Sequence, residues 1–97
     1  MTRIYIKDTN NYGRPVDAFW ISECKNISIH VQRDYAEYGI THLPTGYRIA
    51  SMHLRHEAIA FAKQISEEID WSFEGVAPNE VRQEYQKIRA ASGFEFG

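Results

Sequence analysis

With one cysteine in 97 residues, Cys24 has no intramolecular disulfide partner, and a cysteine-built metal cluster is excluded. Such a chain fits a reducing compartment, and the cytosol is the expected location. No stretch approaches the roughly 18 consecutive apolar residues of a membrane-spanning helix. The opening segment, Met1 to Asp8, has neither an apolar signal core nor a small-residue cleavage site, so no secretory leader is expected. A charge excess is lacking as well. Eleven Lys+Arg stand against thirteen Asp+Glu, a net charge of −2 with a pI near 6.0, without the basic surplus that nucleic-acid binding usually leaves. The nucleophile elbow Gly-x-Ser-x-Gly, the phosphate loop ending Gly-Lys-[Ser/Thr] and the zincin spacing of two histidines four apart are all missing.

What is present is globular: 43% apolar, 13% aromatic and 25% charged residues, enough for one modest core and one domain spanning 1–97. The first half reads as strands. Ile4 and Ile6 flank Tyr5, and the Asn/Gly/Pro-rich stretch from Asp8 to Pro15 breaks that run. Val16 to Ser22 is a second strand. Ile27, Ile29 and Val31 alternate with Ser28, His30 and Gln32, which predicts a half-buried strand with the polar set in solvent. After an expected loop through Asp34 to Gly39, Ile40–His42 and Tyr47–Ala50 bracket the turn Leu43-Pro44-Thr45-Gly46.

The second half reads as helices. Leu54, Ala58, Phe61, Ala62, Ile65 and Ile69 recur at helical steps, with Ser51 as the expected N-cap. Trp71 and Phe73 lie in a connector containing Gly75, placed to fold back on the core. Pro78 opens a second, shorter helix with Val81, Tyr85 and Ile88 on its apolar edge, and Gly93 stops it. The expected fold is therefore α+β. Its antiparallel sheet has three or four strands and is covered by one long amphipathic helix, with the C-terminal helix at an edge or end.

Several residues invite a chemical reading. His53, His56 and Glu57, with His42 from the hairpin, are the one arrangement that could approach a metal; the ordinary reading of helix-start histidines is plain surface, and no metal or cofactor is expected. His30 reads as a surface histidine on a solvated strand face. Cys24 sits in a turn with no helix start behind it to activate the thiol, and reads as an ordinary free cysteine.

Charge is more informative. Residues 1–50 carry six basic and five acidic side chains, residues 51–97 five basic and eight acidic. Glu67, Glu68, Asp70 and Glu74 crowd the end of the first helix, where the dipole is negative and acids are disfavoured. A local cost without local compensation marks a candidate patch for a basic partner surface, including one that normally grips nucleic acid. Tyr35 and Tyr38, in the loop expected before the hairpin, are the candidate anchors, large in area and low in entropy cost.

The stretch Gly39-Ile40-Thr41-His42-Leu43-Pro44-Thr45-Gly46-Tyr47-Arg48-Ile49, followed by Glu57-Ala58-Ile59-Ala60-Phe61-Ala62, resembles a pattern in small accessory proteins of bacteriophages and prophages. In those, a sheet leads through a Thr-His-x-Pro-Thr-Gly hairpin into a helix that begins with a Glu-Ala pair. The likeness spans the middle of the chain and carries no catalytic residues. It implies a non-enzymatic binding protein in the cytosol of a host cell, of the anti-CRISPR kind, that occupies the surface of a host defence protein or protein–nucleic-acid complex. The alternatives are a homodimerising module that uses the solvated sheet face or an open edge strand, a small metal-dependent enzyme on His53, His56 and Glu57, and a direct nucleic-acid binder. The last would place Arg3, Lys7, Arg14, Arg33 and Arg48 on one sheet face.

Overall fold

A computed structural model describes residues 2–7, 13–32 and 37–97. Five strands follow one another: β1 (Thr2–Lys7), β2 (Gly13–Ile21), β3 (Ile27–Gln32), β4 (Glu37–His42) and β5 (Arg48–Met52). They form one open sheet in the order β1-β2-β3-β4-β5, every neighbour antiparallel. Two helices complete the chain, α1 (Arg55–Glu68) and α2 (Asn79–Ser92). The class is α+β as expected, with five strands in place of three or four, and α2 equals α1 at 14 residues.

Local chemistry accounts for most of these boundaries. Pro15 pairs with Tyr5 in the β1–β2 register. The Lys7 N–H bonds outward to the Gly46 carbonyl at 2.9 Å, so Tyr5, of the same parity, also turns its backbone away from β2; the missing N–H of Pro15 then breaks no ladder bond. The β4–β5 turn is built on Gly46 at φ 77°, and Gly93 at φ 72° ends α2. β5 runs on to Met52 and takes up Ser51, which therefore is no helix cap; Leu54 holds the N-cap of α1 with no side-chain hydrogen bond.

α1 lies across β3, β4 and β5. Ala58, Phe61, Ala62 and Ile65 from its inner face meet Ile27, Ile29, Ile40, Ala50 and Met52, all buried. Val31, expected in this layer, is 51% exposed at the far end of β3, and Leu54 is 45% exposed ahead of the helix. Phe61 is the centre of an aromatic group, with ring centroids 5.0 Å from Phe96, 5.9 Å from Tyr85 and 6.5 Å from Phe94. The last residues dock rather than fray. Phe96 bridges to Met52, and the Gly97 N–H donates to the Ser51 carbonyl at 2.7 Å, so the tail covers part of the β5 edge.

The sheet also curls, and this was not foreseen. The register slip between Ala18 and Trp20 leaves Phe19 as an extra residue on β2, and the slip opposite Ile40/Thr41 leaves Ile49 extra on β5, so β2 and β5 bend. The Lys7–Gly46 bond brings the end of β1 to the β4–β5 turn, where Leu43 packs against Ile4, Ile6 and Ala18. The face of β3 expected in solvent is thereby enclosed: Ser28 is 0%, His30 2% and Gln32 6% exposed. Replacing Phe61 with Ala should lower unfolding stability by about 3–5 kcal/mol, read from urea denaturation, since it empties the contact between sheet, helices and tail.

Candidate functional site

The connector between the helices is fixed to the sheet by His42. Its Nε2 donates to the Trp71 carbonyl at 2.7 Å, which leaves Nδ1 to accept from the Thr45 hydroxyl at 2.8 Å. Phe73 stacks on the imidazole at 4.5 Å, and the Trp71 indole N–H donates to the Ile65 carbonyl at 2.8 Å. With both nitrogens engaged, His42 is not free to join a metal site. Behind this clamp a cleft of about 390 Å³ opens between β5, the connector and α2, walled by Tyr47, Ile49, Phe73 and Tyr85 together with Arg48 and Arg82. The Tyr85 hydroxyl donates to the Ile49 carbonyl and accepts from Arg89, both at 3.2 Å; burial raises its pKa.

The four candidate acids lie along the same connector and the helix end before it. Glu67 and Glu68 stand exposed in the last turn of α1, which holds no basic residue; Asp70 and Glu74 flank Trp71 and Phe73 in sequence and are exposed too. Among the described residues none of the four has an ion-pair partner. Asp70 accepts the Ser72 N–H at 3.0 Å, and hydrogen bonds from the Ser72 side chain and backbone hold its pKa below the usual range. The proposed anchors fare differently. Tyr38 is in strand β4 rather than a loop, half-buried on the α1 side with its ring 5.9 Å from Phe19, so it supports its own core; Tyr35 lies outside the described residues.

The other sequence candidates are dispersed. His53 Nδ1 faces Glu37 Oε1 at 4.0 Å, and Glu57 accepts the Glu95 N–H at 3.4 Å. Among the described residues no three His, Cys, Asp or Glu side chains group closely enough to hold a metal ion. Cys24 is an exposed free thiol. The basic residues do not share a face: Arg3 pairs with Asp17 at 3.7 Å and Lys7 lies over the Tyr47 ring at 4.9 Å, whereas Arg14 and Arg48 act on the enclosed face, and Arg33 lies outside the described residues.

That enclosed face holds what the sequence reading missed. Alternation with isoleucines predicts a surface position for His30, yet the curl buries it. Gly39 is its register partner on β4, and a Cβ there would stand 2.6 Å from His30 Cε1 and 3.1 Å from both His30 Nε2 and Gln32 Oε1. Imidazole and amide thus converge over a bare stretch of backbone that only glycine leaves open. The Gln32 amide satisfies its neighbours with its oxygen toward the Arg48 guanidinium (2.7 and 3.1 Å) and its nitrogen donating to Ser51 Oγ at 3.0 Å. Arg48 also donates to Ser51 Oγ at 3.3 Å. Beside this network, Ser28 Oγ and both ring nitrogens of His30 are buried and have no hydrogen-bond partner among the described residues. Such groups are rare and cost about 1–3 kcal/mol each. Burial, and then the positive fields of Arg48 and Arg14, push the His30 pKa down from 6.5 to about 4.

No family model, no curated protein and no solved structure matches this chain.

Two measurements check this geometry. Gly39→Ala should destabilise the fold by about 1–3 kcal/mol in chemical denaturation, because the new methyl must displace the His30 ring. Stability should be fullest above pH 6.5, where a histidine in the unfolded chain is neutral, and should fall as the pH drops toward about 4, because the unfolded chain takes up a proton that folded His30 refuses. The loss across that window is about 3 kcal/mol, seen as the difference in pH profile between the protein and its His30→Gln variant.

Proposed function

We propose that the protein is a non-enzymatic binding protein that occupies a basic surface of a protein partner and blocks it. The resemblance of the Thr41–Gly46 hairpin and the helix after it to phage accessory proteins makes the favoured partner a host defence protein or a protein–nucleic-acid complex, met in the host cytosol. The observation that carries this reading is the run of exposed carboxylates Glu67, Glu68, Asp70 and Glu74, none of which has an ion-pair partner among the described residues. Trp71 and Phe73, which lie between Asp70 and Glu74 in sequence, line the cleft, so large aromatic area and negative charge alternate along one connector. A basic partner surface complements those carboxylates.

Self-association through the open edge of β1 is the weaker alternative. Tyr5 is 67% exposed there, but an antiparallel pairing of two copies about Tyr5 sets Arg3 of each against Lys7 of the other. Like charges in that place are a common guard on sheet edges.

The experiment is a paired pull-down from nuclease-treated bacterial lysate with the protein and its Glu67→Lys, Glu68→Lys double variant. A stoichiometric partner retained by the first and lost by the second, with the variant's melting temperature unchanged or raised, is the expected result. The rise follows because lysines in the last turn of α1 suit the negative end of its dipole. A partner held equally by both proteins, or none by either, overturns the acidic-surface reading.

A further inference from the structure

The buried polar cluster on the concave face of the sheet takes no part in that docking surface. Ser28 and His30 are 0% and 2% exposed, and three of their polar atoms have no partner among the described residues. The other buried side-chain polar atoms described do have partners, down to both nitrogens of His42. Here the orphaned groups gather instead of scattering. His30 and Gln32 converge over Gly39, and Gln32 leads directly to the Arg48 guanidinium at 2.7 Å. Arg48 stands on β5 and Arg14 on β2, in register with Ile6 of the enclosed face; both are exposed, and the positive fields of both reach His30. Among the described residues no carboxylate forms an ion pair with either. Glu37, one pair along β4 beside Gln32, is directed to His53.

We propose that this cluster binds a small oxyanion of the phosphate class, held between the guanidinium groups of Arg14 and Arg48 over the Ser28 hydroxyl and the His30 imidazole. The donor inventory selects that chemistry. A hydroxyl, a ring N–H and two forked guanidiniums offer hydrogens from several directions, and an acceptor-rich anion satisfies them together. A cation is repelled by both arginines, and an apolar molecule leaves the buried donors as they are. A carboxylate presents its acceptor sites in one plane, whereas the tetrahedral oxygens of phosphate point toward donors arriving from β2, β3 and β5. The glycine at position 39 keeps the floor of the site free of a side chain, so the imidazole lies flat across β4. Once bound, the anion cancels the positive fields that drive the proton from His30, so the loaded protein holds that proton to a higher pH.

The test follows the side-chain nitrogen and carbon-bound proton resonances of His30 by NMR in the full chain. Inorganic phosphate is added at constant ionic strength, made up with chloride, and sodium acetate is added in a parallel series. A saturable shift with phosphate, weaker with acetate, and a His30 titration midpoint that rises from about 4 are expected. Ser28→Ala and Arg48→Met should each weaken phosphate binding at least about tenfold, the scale of one charged hydrogen bond. Ser28→Ala should at the same time raise the melting temperature, because it deletes an orphaned hydroxyl; a serine with no part in binding would raise the melting temperature and leave phosphate affinity unchanged. Shifts no larger than those in chloride alone, or equal affinity in both folded variants and the unaltered protein, overturn the site. Acetate binding as tightly as phosphate overturns the assignment of ligand class.

Discussion

Burial of β3 on both faces is the constraint on which the rest of the molecule depends. On one face Ile27 and Ile29 take α1 as a cover, and that contact sets the main core. On the other face Ser28, His30 and Gln32 are enclosed, because β2 bends at its register slip and carries β1 around to the Gly46 turn. A flat sheet of these strands would leave the polar set in water, where its hydrogen bonds are free. The curl exchanges that solvation for a small apolar layer of Ile4, Ile6, Ala18 and Leu43 beside a polar one. The apolar part drives enclosure at about 25 cal/mol per Å². The polar part opposes it, and the neutral state of His30 is how a buried imidazole limits that opposition.

What sequence could convey follows the same division. Periodicity is a local signal, so it located the helical stripe through Ala58, Phe61, Ala62 and Ile65, the hairpin turn at Gly46 and the stop at Gly93. Trp71 and Phe73 were also legible as caps on the core, since an apolar pair inside a polar connector has few other places to go. Alternation in β3 correctly separated its two faces and then misassigned one of them, because alternation cannot report whether a second layer arrives. The only local signs were Gly39 opposite His30 and a nine-residue β2, long for its neighbours. Tyr38 failed in the opposite sense: the loop expected there is strand, and its ring turned out to be part of the core.

The positions of the acidic surface and of the oxyanion cluster are linked through one clamp. His42 is the last residue of β4 and grips the connector by the Trp71 carbonyl, so it fixes where Asp70 and Glu74 emerge. Three residues back on the same strand, Gly39 leaves the space in which His30 lies. β4 thus serves one site from the face toward α1 and another from the concave face, and a shift of its register by one residue would exchange the two sets of side chains and abolish both. The slip between Ile40 and Thr41 lies between the two positions. It lets β5 pair with the upper half of the strand at one offset and with the lower half at another, which a regular ladder could not do.

Both sites hold like charges together at a cost to stability: four carboxylates around the negative end of α1, two guanidiniums around a neutral imidazole. Selection for stability alone removes such arrangements easily, since a single lysine at position 68 or an apolar residue at position 28 would relieve them. Their signs are opposite, and they face different layers of the sheet. In a fold that carries −2 overall, Glu67, Glu68, Asp70 and Glu74 thus stand as a local excess of one sign at the end of α1. Dispersal is what solubility alone requires, and segregation is what recognition requires. Arg48 stands where the two regions come nearest, since it lines the cleft beside the connector and also holds Gln32 on the concave face.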